Sequence, residues 1–209
     1  ISGVLDLDFI INNYDDNFEI EVIGNTNSLS IISNFLGENS SFSDGKIRFL
    51  VNPYNKNYSG FFDLKTNNIN IEVNTVFSHS GLLSLKINKF LTPIQDFKMD
   101  IDLENFIAKL SGNKISIQKI DFKEESFFSD LGNLDFNVDI EKIILGKNKF
   151  LKPVINFKKE NYEFSDLNIE LNGEKDYHKI QIFNENKKKK FFLESNYAPR
   201  LLDIFDISI

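Results

Sequence analysis

Phe97-Lys98-Met99-Asp100-Ile101-Asp102-Leu103 places an apolar side chain at every second position and a lysine or aspartate between each pair. A period of two is the spacing of a β-strand with one face out of water and one face in it. The same alternation runs outward in both directions. Leu5, Leu7, Phe9 and Ile11 alternate with Asp6, Asp8 and Ile10, and Ile69, Ile71 and Val73 with Asn70 and Glu72. Phe49 lies between Arg48 and Leu50, and Phe62 is followed by Asp63. Leu134, Phe136, Val138 and Ile140 alternate with Asp135, Asn137 and Asp139. The breaks between runs are short and polar, such as Thr66-Asn67-Asn68 and Asn172-Gly173-Glu174-Lys175, and these are residues that tight turns accept. Strands recur every ~10–15 residues, the spacing of hairpins and meanders. The chain therefore reads as all-β, with an antiparallel sheet that is apolar on one face.

Composition narrows the function classes. The 209 residues are 41% hydrophobic and include 22 phenylalanines, with no cysteine and no tryptophan. Without cysteine there is no disulfide framework, thiol nucleophile or Cys-based metal site. A net charge of −7 repels a phosphate backbone, which argues against nucleic acid as a partner. The basic run Lys187-Lys188-Lys189-Lys190 reads as a solvated hairpin turn. No run of ~18 apolar residues is present, so no stretch reads as a membrane-spanning helix. The sequence opens on Ile1 within a strand-like run and ends on Ile209 within another. It is expected to be one β-rich segment, residues 1–209, of a longer protein, with no internal boundary marked by composition.

Two stretches break the period of two. Leu29, Ile32 and Phe35 have helical spacing, with Asn27 or Ser28 as a start and Gly37 as a stop, predicting a short helix near 28–36. Leu201, Leu202, Ile204 and Phe205 follow Ser195, Asn196 and Pro199, predicting a second near 198–205. Each follows a strand and a polar turn, and Phe35 coincides with Phe205 when the two are aligned.

The second of these resembles a recurring element of AsmA-like bacterial envelope proteins, the YhdP and TamB group. Ala198 matches the alanine of that element, Leu201-Leu202 its leucine pair and Phe205 its last apolar place. Ser43-Asp44-Gly45-Lys46 is similar to the glycine turn that follows it. The chain departs from the pattern at Asn196-Tyr197, where the family has an acidic pair, and at Pro199, where it has glycine. The resemblance implies an elongated, curled sheet, open as a groove with an apolar concave face and capped by the two short helices. It further implies a periplasmic location, an inner-membrane anchor outside this segment, and a role in moving phospholipid between the two membranes.

Acyl chains need such a face. Two chains carry ~30 methylenes, and at ~0.8 kcal/mol each their exposure to water costs on the order of 25 kcal/mol. The residues expected to line the face are Leu5, Leu7, Phe9, Phe49, Phe62, Ile69, Ile71, Val73, Phe97, Met99, Ile101, Leu134, Phe136 and Val138. The same residues would equally make the core of a closed β-sandwich, an interaction or adhesin-like module. Periodicity alone does not separate the two. Catalytic and metal readings have little behind them. His79 and His178 are the only histidines, and no Gly-x-Ser-x-Gly elbow accompanies either. Asn12-Asn13-Tyr14-Asp15-Asp16 offers oxygen ligands without the EF-hand spacing. No phosphate loop or dinucleotide glycine motif occurs. The expectation is a non-enzymatic module with no cofactor and no metal, whose partners are phospholipid acyl chains.

Overall fold

A computed structural model describes residues 2–14, 17–33, 37–42, 45–54, 56–117, 131–185 and 188–199. The fold is all-β, and the chain divides into two compact units, Ile1–Asn105 and Phe106–Ile209. No Pro-, Gly- or Ser-rich linker marks the division. Among the described residues no helix is long and apolar enough to cross a membrane.

The first unit is a single antiparallel sheet. Its strands are β1 (Ser2–Tyr14), β2 (Asn17–Ser33), β3 (Gly37–Phe42), β4 (Gly45–Tyr54), β5 (Asn57–Lys65), β6 (Asn70–Ser78), β7 (Gly81–Leu91) and β8 (Asp96–Asp102). They lie in the order β1-β2-β4-β5-β6-β7-β8, with β3 also on β2. No described strand joins β1 back to β8, so this sheet is open. Consecutive strands pair because the turns between them are short, as between Thr66 and Ile69, where Thr66 N–H donates to Ile69 O at 2.8 Å. Asn88 is an extra residue in β7, since Val73 faces Ile87 while Glu72 faces Lys89. Such a bulge bends the strand and raises its local twist.

The helix expected near 28–36 is not formed. Residues 28–33 continue β2, with Leu29 opposite Gly3 on one side and Phe42 on the other. β1 pairs with Ser28–Ser30 on one side, and β3 pairs with Leu29, Ser30, Ile31 and Ser33 on the other. Serine and the β-branched pair Ile31-Ile32 are also weak helix formers. Phe35 and the turn residues Ser43 and Asp44 lie outside the described residues. Of the second helix, Ala198 and Pro199 have helical backbone, and Leu201, Leu202 and Phe205 lie outside the described residues.

The second unit holds β9 (Ile107–Ile117), β10 (Leu134–Ile140), β11 (Lys142–Leu145), β12 (Asn148–Leu151), β13 (Val154–Glu160), β14 (Glu163–Asn172), β15 (Tyr177–Glu185) and β16 (Lys188–Ser195). The order is β9-β10-β13-β14-β15-β16. Antiparallel pairing is not universal here: β9 is parallel to β10 along its first half and parallel to β11 at its end. Residues 118–133 separate β9 from β10, long enough for the crossover that parallel strands require. The β13–β14 hairpin turns on Asn161 and Tyr162, both at positive φ (53° and 67°), the two-residue type I′ geometry that follows strand twist.

The β11–β12 hairpin leaves the ladder and makes a second layer, with β12 against β14. Ile115, Ile140, Ile143, Leu145, Phe150 and Leu171 are buried there. His178 is buried as well. Its Nδ1 lies 2.8 Å from Ser195 Oγ and its Nε2 lies 3.1 Å from Asp176 Oδ2.

Candidate functional site

Directly opposed residues of neighbouring strands share a face, so the register shows which side chains stand together. In the first unit one row runs Phe9, Val22, Phe49, Phe62, Val73, Ile87, Met99 from β1 to β8. The next row runs Leu7, Gly24, Ile47, Leu64, Ile71, Phe90, Phe97, and Leu5 holds the following register position, opposite Thr26. On the other side lies Ile11, Ile20, Val51, Gly60, Thr75, Leu85, Ile101. Ile69 immediately precedes β6 on the same parity as Ile71. Every candidate from Leu7 to Ile101 therefore belongs to one apolar face. The opposite face carries Asp8, Glu21, Arg48, Asp63, Glu72 and Lys89. Arg48 Nε reaches Glu21 Oε1 at 2.7 Å.

Burial along this face is graded. Phe9 is 68% exposed and Ile11 71%, and Phe49 is also exposed. Phe62, Val73 and Met99 are half-buried. Phe97 is 2% exposed and Ile101 1%, with Ile69 and Ile71 also buried. At that end Phe90 stacks on Phe97, centroids 4.8 Å apart. The first unit contributes no second layer over Phe9, Ile11 or Phe49 among its described strands.

In the second unit Leu134 and Phe136 are buried and Val138 is half-buried. Their rows run Ala108, Phe136, Phe157, Leu167, Ile182, Phe191 and Leu110, Val138, Ile155, Ile169, Ile180, Leu193. Phe136 and Phe157 pack with centroids 4.9 Å apart, and Phe157 meets Phe164 edge-on at 5.4 Å. Exposure rises again toward β16, where Phe191 is open to solvent. The residues expected to line the face did not include Val22, Ile47, Leu64, Ile87, Phe90 or the β13–β16 members of these rows, although the same alternation marks them.

A pair of clefts among the described residues touches these rows, at Leu110 and Val138 and at Gly60 and Thr75. One, about 910 Å³, runs along Lys109–Ser111 and Asn137–Glu141 to Lys152–Val154. Its rim mixes Lys109 and Lys152 with Asp139 and Glu141. The other, about 300 Å³, is lined by Leu50, Asn52, Ser59, Phe61, Asn74 and Val76 among others. Among the described residues no three His, Asp or Glu side chains are grouped to hold a metal. Asn12, Asn13 and Tyr14 are part of β1, and Asp15 and Asp16 lie outside the described residues.

Asp176, His178 and Ser195 form a hydrogen-bonded chain of the acid–base–hydroxyl type. Nothing in the sequence marked Ser195 as its third member. His178 is 1% exposed, and Ser195 is half-buried. Ser195 Oγ also accepts the N–H of Tyr197 at 3.1 Å. This chain of bonds clips the end of β16 to β15 and to the turn before it. His79 sits exposed in the β6–β7 turn, edge-on to Tyr58. No protein-family model matches the sequence, and no curated protein or solved structure shows significant similarity to it.

Proposed function

We propose that the chain is a structural β module that shields phospholipid acyl chains on its apolar face and performs no chemistry. The observation that carries this reading is the open end of the first unit's face. Phe9, in register with Val22, Phe49 and Phe62, and Ile11, in the next row with Ile20 and Val51, stand more than half exposed on a sheet that is one layer thick among the described residues. Exposed phenylalanine and isoleucine in a continuous patch mark a surface that an apolar partner covers. Phenylalanine suits acyl chains because it is large and has no polar atom to satisfy. On this reading the sheets curl into an elongated groove of the AsmA-like kind. The protein then works in the periplasm, held to the inner membrane by a segment outside this chain.

A closed-core interaction module is the second reading, and the β11–β12 layer, whose Ile143, Leu145 and Phe150 are buried, favours it locally. Native mass spectrometry with lipid extraction separates the two. Phospholipid or detergent retained in fixed ratio, and lost in the double variant Phe9→Asp/Phe49→Asp with β content unchanged, is the expected result. A protein that binds no lipid when vesicles are offered overturns the proposal.

A further inference from the structure

Strand β16 exposes three consecutive apolar residues on both of its faces: Phe191 (66%), Phe192 (43%) and Leu193 (51%). Among the described residues only β15 pairs with it. The backbone supplies the second half of the observation. Asn196 N–H donates to Tyr177 O, and the β15–β16 register runs on without a shift. Bonding alternates along an antiparallel strand, so Glu194, Phe192 and Lys190 turn their backbone groups to β15. Ser195, Leu193, Phe191 and Lys189 therefore turn theirs outward.

We propose that this edge is an isologous dimer interface, in which β16 pairs antiparallel with β16 of a second copy about a two-fold axis at Phe192. In that register Phe191 faces Leu193 of the other copy, Phe192 faces Phe192, and Lys190 faces Glu194. Symmetry makes the Phe191–Leu193 and Lys190–Glu194 contacts twice and places the Phe192 pair on the axis. The outward-facing backbone groups of Phe191 and Leu193 then meet one another, while the β15 ladder stays intact. Charge selects this alignment. Across the polar face Glu170, Lys179 and Glu194 already alternate in sign, with Lys179 Nζ 2.8 Å from Glu170 Oε1. Lys190 of the second copy extends the row by one more positive charge. Centring the axis on Lys190 would oppose lysine to lysine, and centring it on Phe191 would set Lys190 and Lys189 against Phe192 and Leu193. The edge lysines thus act against other registers, the usual guard on an exposed strand. A two-fold axis normal to the sheet also keeps Phe191 and Leu193 of both copies on one side.

Sedimentation equilibrium of the 209-residue chain tests this. The wild type is expected to dimerise reversibly and more weakly at high salt. Lys190→Glu and Glu194→Lys each set like charges opposite one another twice, and each is expected to weaken the dimer about tenfold. Mixing the two single variants restores opposite charges at both sites and is expected to give a heterodimer of wild-type affinity. Lys190→Glu/Glu194→Lys in one chain is expected to restore the homodimer. Circular dichroism of each variant confirms that the fold is kept. A wild type that stays monomeric up to its solubility limit, because another strand holds the edge or nothing does, overturns the proposal. So does a dimer indifferent to both single reversals.

Discussion

Phe150 stands edge-on to the imidazole of His178, ring centroids 5.9 Å apart and planes at 71°. The contact joins the β11–β12 hairpin to the sheet beneath it, where the second unit has a second layer. Phe150 is fully buried, whereas Phe9, equally apolar and also on an apolar strand face, is mostly in water. Truncation should separate the two roles. Phe150→Ala removes packed ring volume and is expected to cost about 3–5 kcal/mol. Phe9→Ala, at a site with little packing, is expected to stay within about 0.5 kcal/mol. Urea unfolding of both variants is the measurement. A large loss for Phe9→Ala would mean that its ring is packed in solution, and the lipid-shielding face would lose its open end.

Gly60 occupies the apolar row between Val51 and Thr75, and the reason is space. A β-carbon built there would lie 2.5 Å from Thr75 Oγ1 and 3.5 Å from the Phe77 ring. Threonine is stiff at χ1, and rotating it would bring its methyl group into the same gap. Gly60→Ala is therefore expected to destabilise by about 1–3 kcal/mol despite the lower entropy of an unfolded alanine. Thr75→Ala in the same chain should recover most of that loss. A double-mutant cycle measures it, and additive effects would show that the two sites do not touch.

The strand pattern was legible because it rests on local alternation. Leu134–Ile140 is the whole of β10, and the run from Phe97 fills β8 but for its first residue. The shared face of Leu7, Phe9, Phe49, Phe62 and Met99 follows from the same parity. What alternation does not encode is the number of layers above a face. Ile71 and Phe136 look like Phe9 in sequence but are buried, so aspartate at either would damage packing as well as any lipid site. Strand direction is equally silent, and the parallel pairing of β9 with β10 had no local mark. At 28–33 the spacing of Leu29 and Ile32 suits a helix in isolation. Pairing with β1 on one side and with the following β3 on the other decides otherwise. Ser195 could have been placed opposite His178 by counting through the hairpin that turns after Glu185, but a lone serine gives no reason to count.

The buried Asp176–His178 pair makes a strong stability prediction. With His178 Nε2 donating to the carboxylate and Nδ1 accepting from Ser195, each ring nitrogen has a partner. His178→Ala removes the imidazole from a buried carboxylate and is expected to cost about 3 kcal/mol. Asp176→Ala added to His178→Phe replaces both partners by apolar groups. The double variant is expected to be more stable than His178→Ala alone. Thermal or urea unfolding distinguishes these. Equal losses in the two variants would mean that neither the unpaired carboxylate nor the lost ring contact with Phe150 accounts for the cost.

Asp102 caps the turn that follows β8. Its Oδ1 accepts the N–H groups of Glu104 and Asn105, each at 3.0 Å, and its Oδ2 accepts Asn105 Nδ2 at 2.7 Å. The Asn105 side chain first, and then its N–H, hold the carboxyl below the ordinary aspartate range. Glu163 is likewise held low by the Lys189 ammonium, 2.7 Å away. A carboxyl depressed in the folded state binds fewer protons there than in the unfolded chain. Its contribution is therefore full above its unfolded value of about 4 and fades as pH falls through the lower folded value. Stability should decline on the acid side from about pH 4 downward for these two groups. Lys179, raised by Glu170, works at the opposite limit. Its contribution is full below about pH 10 and lost as pH rises through the raised folded value. Amide resonances report the turn directly. The Asn105 N–H is expected to shift with a midpoint below the ordinary aspartate value, and Asp102→Asn should abolish that shift while keeping an oxygen for the two backbone donors. A midpoint at or above the ordinary value would show that the cap is not formed in solution.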